Sequence, residues 1–368
     1  APVEVPPHCH LLAGHHGVEI GHPPLDVGTS GQQGIGLAAR ALGFPLGGWW
    51  LAAAQAHGHV QIFGWAGLMV LGVGFHFFPR LRGTPLVDAR LLPVILVLFL
   101  VGLTLRLVIQ PLVGALPTAA HLLTPLLAVS GGLELAGATL GIGLLVATGR
   151  RGGPIGERTG LVPVLPLVAS AFAALWLALA LNALVLVMPG PAPGLLQPAL
   201  DAVVVHLGLV GFLVPVAVAV SARTFPLYLW TPVPARRWLW TLLAVLLAGL
   251  ALRPAGLFAG TGIAQLGSVL EGLALLGFVV SLGVLHRRGV APNPRRAVPA
   301  SERASTSLIV AAYAWLALAG LLGLFGGLAG LSGGPVPPAD LERHVLGAGF
   351  ITLLILGVGV RMLPGFLQ

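Results

Sequence analysis

The sequence predicts an all-α fold: a polytopic transmembrane helix bundle with pseudo-symmetric internal repeats. Three observations predict it, namely a scarcity of charge, a series of long apolar runs, and a motif that recurs at fixed spacing. Of 368 residues, 57% are hydrophobic and only 8% charged, with a mean hydropathy of +0.97. A soluble domain carries roughly 25% charged residues, so this chain lacks the polar groups to cover a water-facing surface, and the bilayer is its natural solvent. The 53 Gly and 31 Pro agree, since both are tolerated in membrane helices whose neighbours satisfy the freed backbone groups.

Along the chain, residues 1–33 form a His- and Pro-rich extramembrane arm and residues 34–368 the bundle. The arm holds His8, Cys9, His10, His15, His16 and His22, a set able to capture copper or zinc and equally able to remain a flexible tail. Residues 34–50 carry Arg40 and the breaker Pro45-Leu46-Gly47-Gly48, which predicts a short interfacial helix. Nine runs are then long enough for the ~20 residues a bilayer core requires: 52–78, 91–113, 119–148, 161–188, 201–222, 238–258, 262–286, 306–331 and 341–362. Trp49, Trp50, Trp230, Trp238 and Trp240 flank spans as an interfacial belt.

The formal charge is +8, and all 19 basic residues are arginine. They gather in alternate loops: Arg80, Arg82 and Arg90; Arg150, Arg151 and Arg158; Arg236 and Arg237; then Arg287, Arg288, Arg295, Arg296 and Arg303. The loops between, near 114–118, 189–200 and 254–261, hold no basic residue. The arginine loops are therefore cytoplasmic, and orientation in a membrane rather than nucleic-acid binding explains the basic balance. The single cysteine excludes an internal disulfide framework and a CxxC zinc site, and the lack of CxxCH argues against covalent c-type haem.

The recurring motif is a histidine followed after 17 residues by a basic residue and after 20 by proline. Its copies are His59, His76 and Pro79; His206, Arg223 and Pro226; His344, Arg361 and Pro364. Two copies extend further, to Arg106 and Arg253 at an offset of 47, then to the intramembrane acids Glu134 and Glu271 at 75 and 65, with an insertion near 114–121. Fixed spacing implies a duplicated helical unit whose equivalent positions share a depth; the units run approximately 52–150, 161–288 and 306–368.

Topology then places His57, His59, His121, His206 and His344 at the non-cytoplasmic ends of their helices, with Arg106 and Arg253 near that side. His76, Arg223 and Arg361 fall at the cytoplasmic ends. His59 and His76, about 25 Å apart along one helix, cannot share a metal. Histidines at one depth on different helices can converge: two clamp a haem iron and three hold copper. Arginines suit haem propionates. The alternatives are imidazoles lying in the headgroup region and arginines snorkelling to it. Glu134 and Glu271, each costing about 2.5–3.5 kcal/mol if charged in the membrane, imply pairing with a neighbouring arginine or a proton path.

The stretch Ala56-His57-Gly58-His59, through Phe63-Gly64 to Phe78-Pro79, resembles the NnrS family, as do Arg223-Thr224-Phe225-Pro226 and His344 with Gly347-Ala348-Gly349 and Arg361. The likeness covers most of 55–368. The chain departs from the family at Val60 and Gln61, where an acid is usual, and at Leu363-Pro364-Gly365-Phe366. The resemblance implies a multi-pass protein of a bacterial cytoplasmic (inner) membrane that contains haem b and copper and binds or responds to nitric oxide. Within that reading, shared depth selects His59 and His344 as haem ligands beside Arg106 and Arg253, and His57, His121 and His206 for copper. Two other functions stay open: a haem-bearing electron-transfer or anchor subunit among respiratory-complex partners, and a proton-coupled transporter using Glu134 and Glu271.

Overall fold

The computed structural model describes residues 49–153, 160–286 and 300–366. The arm, residues 34–48 and the arginines at 158, 287, 288, 295 and 296 lie outside the described residues. No strand occurs among the described residues, and nine helices there are long and apolar enough to cross a membrane. They are α1 (Trp49–Arg82), α2 (Leu91–Ala115), α3 (Pro117–Arg151), α4 (Leu165–Val187), α5 (Pro198–Tyr228), α6 (Arg236–Ala259), α7 (Thr261–Leu282), α8 (Ala300–Leu331) and α9 (Ala339–Met362). All nine expected spans are present. Trp49 and Trp50 do not stand outside the first one but form its opening turn.

Every motif histidine closes a regular α-helical stretch and opens a π-helical one: Val60–Ala66 after His59, Leu207–Leu213 after His206, and Val345–Thr352 after His344. A π turn holds an extra residue and is concentrated at functional sites. The three π segments touch one another pairwise, so α1, α5 and α9 meet at the level of these segments. Of these three helices α5 is by far the most buried.

Each π segment carries glycine five residues after its histidine, at Gly64, Gly211 and Gly349. A Cβ there would stand 3.3 Å from Leu103, 3.0 Å from Leu250 and 2.7 Å from Trp315 respectively. Leu103 and Leu250 are themselves equivalent, each three residues before its arginine. Without a hydrophobic force between helices in lipid, such close backbone approach supplies much of the association.

The outer helices repeat the same order. Helix α2 packs on α3, α3 on α4 and α4 on α5; α6 packs on α7, α7 on α8 and α8 on α9. The period is therefore four spans, α1–α4 and then α5–α8. Helix α4 packs on both sides, bridging α3 to the next motif helix. The insertion near 114–121 is a short 3-10 turn, Pro117–Ala119, between longer helix ends; its counterpart between α6 and α7 is Gly260 alone.

Candidate functional site

At equivalent positions the two complete units place a histidine on the first helix, an arginine on the second and a glutamate on the third, and each set is joined by a carboxylate from the first helix of the following unit, Asp201 five residues before its histidine and Glu342 two. In the first tetrad, Nε2 of His59 lies 2.6 Å from Oε2 of Glu134, and the ring also packs 4.6 Å from Phe63. Arg106 Nη1 donates to Oδ1 of Asn182 on α4 (3.0 Å), and its Nη2 stands 3.8 Å from Oδ1 of Asp201 on α5. In the second tetrad, Nε2 of His206 lies 2.7 Å from Oε1 of Glu271. Arg253 Nη1 donates to Glu271 (2.8 Å), and Nη1 and Nη2 together grip both oxygens of Glu342 on α9 (2.9 Å each).

Glycine makes both arrangements possible. One turn before each arginine stand Gly102 and Gly249; a Cβ at either would lie 2.7 Å from the Cγ of Glu134 or Glu271. The missing side chains let α3 and α7 bring their glutamates against the arginine-bearing helices.

The tetrads differ in access. Gln110, one turn beyond Arg106, donates through Nε2 to Oε1 of Gln55 and to the carbonyl of Gly194, while the Leu196 N–H donates to the same Gln55 oxygen. The loop between α4 and α5 is thereby tied to the outer ends of α1 and α2 around the first tetrad, whose His59, Arg106 and Glu134 are no more than 1% exposed. The second opens instead to a cleft of about 180 Å³ lined by His206, Arg253, Glu342 and Arg343 among apolar side chains of α5, α6 and α9.

Of the histidines expected to converge, His59 and His206 turn to carboxylates of their own units. His57, His121 and His344 are exposed. His344 donates Nδ1–H to the carbonyl of Asp340 (2.7 Å), so in the neutral ring Nε2 is the nitrogen with the lone pair. Among the described residues no group of three or more His, Cys, Asp or Glu side chains is placed to hold one metal ion. Arg106 and Arg253 are engaged with an amide and with carboxylates of the protein rather than directed outward as propionate donors. The expected pairing of an intramembrane acid with arginine holds for Glu271. Three functional groups escaped the sequence reading: Asp201, Glu342 and Asn182. The available signal was an acid five or two residues before a motif histidine.

Known protein families, characterised proteins and solved structures contain no match to this chain.

Proposed function

We propose that the protein is a proton-coupled transporter whose carriers are the His59–Glu134 and His206–Glu271 pairs. The observation that carries this reading is the repetition, at equivalent intramembrane positions, of an imidazole–carboxylate hydrogen bond of 2.6–2.7 Å backed by an arginine and a second carboxylate. Ionisable groups in apolar surroundings are costly and serve as proton relays in pumps and transporters. Within each pair one proton lies between ring and carboxylate. Arg253 bonds both Glu271 and Glu342, so when Glu271 takes up a proton the guanidinium keeps Glu342 as its counter-charge. Vesicles holding the purified protein and a pH-sensitive dye test this. Proton uptake after an acid pulse is expected to vanish in Glu134→Gln and Glu271→Gln; unchanged uptake in both would overturn it.

A second reading, a haem- and copper-containing protein of NnrS type that handles nitric oxide in a bacterial cytoplasmic membrane beside respiratory subunits, is favoured by His344. Its Nδ1–H is fixed by a backbone carbonyl and Nε2 is left as a lone-pair donor, the orientation that metal-bound histidines have. The residues fit a single-imidazole ligand there. They do not fit a haem at His59, which is enclosed and already bonded, nor beside His206, where about 180 Å³ falls short of the ~300–1,000 Å³ of pockets for far smaller ligands than a macrocycle. Metal analysis and a pyridine haemochrome spectrum of the protein and of His344→Ala test it; a spectrum without a haem band and no bound copper would end it.

A further inference from the structure

The two tetrads are built alike yet satisfied differently. In the second, no side-chain nitrogen or oxygen is buried without a partner. In the first, Nε and Nη2 of Arg106, Nδ2 of Asn182 and Oε1 of Glu134 are all buried and unpartnered, and Oε1 of Gln110 one turn away joins them. The two carboxylates approach from different helix positions, Asp201 five residues before its histidine and Glu342 two, and Asp is the shorter by one methylene. Glu342 reaches Arg253 with both oxygens at 2.9 Å, whereas the shorter Asp201 stops 3.8 Å from Arg106, beyond hydrogen-bond distance.

So many orphan groups in one apolar enclosure are foreign to folded proteins, where nearly every buried polar group is paired. Their chemistry states what would satisfy them. Three nitrogens require an acceptor, and the Glu134 oxygen requires a donor. The guest must therefore both accept and donate. An anion would meet the donors but would face two carboxylates, Glu134 and Asp201, against one guanidinium, so a neutral guest is favoured. We propose that the first tetrad is a binding site for ordered water, one or two molecules that accept from Arg106 and Asn182 and donate to Glu134 and Asp201. Buried waters in proteins make about three such bonds. The site links the His59–Glu134 pair to Asp201 through exchangeable protons, while the direct grip of Arg253 on Glu342 closes the equivalent path. In the transport reading, water gives the first carrier pair a proton connection that the second pair lacks; the water site itself rests on geometry alone.

Cryo-electron microscopy of the protein in lipid nanodiscs, at a resolution that shows waters, tests the site, and the vesicle assay tests its use. A density peak within hydrogen-bond distance of Arg106 Nη2 or Nε and of Glu134 Oε1 is expected. Asp201→Glu should close the gap, remove the peak and slow proton uptake about tenfold, the effect of one charge-assisted hydrogen bond on a rate. Should that substitution not fold, Glu342→Asp in the open tetrad is the reciprocal: it should part from Arg253 and gain a peak there. A map in which Arg106 meets Asp201 directly, with no peak beside Nε or Asn182, overturns the proposal. A peak in a protein that takes up no protons leaves the water site standing and removes the transport reading.

Discussion

Replacing Arg253 by methionine keeps much of the side-chain volume and removes the charge that three oxygens share. Those oxygens belong to Glu271, 2% exposed, and Glu342, 17% exposed. Breaking a buried ion pair by deleting one partner costs about 3–5 kcal/mol, because the other charge is left uncompensated. Two features of this site bring the figure down. Glu271 keeps the imidazole of His206 at 2.7 Å, and Glu342 regains water through the cleft that it lines. The expected loss is therefore about 2–3 kcal/mol. Denaturant unfolding in mixed micelles, followed through the 8 tryptophans, measures it. The double variant Arg253→Met, Glu342→Met removes both charges and should recover part of the loss, so that the double-mutant cycle yields a coupling above about 1 kcal/mol. A single-variant loss below about 1 kcal/mol, or strictly additive losses, would refute the argument that the second tetrad is held by this charge sharing.

Other outcomes follow from the same geometry. Gly249→Ala should destabilise by about 1–3 kcal/mol, since its methyl would stand 2.7 Å from both Glu271 Cγ and the Gly267 carbonyl; Gly58→Ala, which meets nothing within 4 Å, is the control and should gain stability in the same unfolding assay. His59→Ala strands the enclosed Glu134 and should cost about 3 kcal/mol, whereas exposed His344→Ala should stay within about 0.5 kcal/mol, again by unfolding. Single cysteines in a Cys9→Ser background, placed at exposed Ala192 and at Thr84, should react with membrane-impermeant thiol reagent from opposite sides of oriented vesicles; labelling from the same side would contradict the assigned topology.

The spans and the loop alternation were legible in the chain because hydropathy is a local sum, and a window of about 20 residues contains all the information needed. The repeat was legible for a related reason: spacing along a helix translates directly into depth, so His59, His206 and His344 could be recognised as equivalent before any fold was known. The bond between Glu271 and Arg253 was nearly legible, since a charge deep in an apolar run must find a partner and the nearest candidate lay one helix away.

What the linear order could not state was which groups meet across the bundle. His59 and Glu134 are 75 residues apart, Arg106 and Asn182 76, and Arg253 and Glu342 89. Such pairs are decided by helix rotation and by backbone approach at Gly102 and Gly249, properties of packing and not of sequence position. The carboxylates of the following unit stand within about 4 Å of these arginines in a low-dielectric interior, where opposite charges attract most strongly. The contrast between a first tetrad with unpartnered groups and a gripped second one depends on where Asp201 and Glu342 stand on their helices as well as on their lengths. Sequence determined that this protein crosses the membrane in repeated units bearing histidine, arginine and acid; only the tertiary structure decided that those residues bind one another, and how tightly.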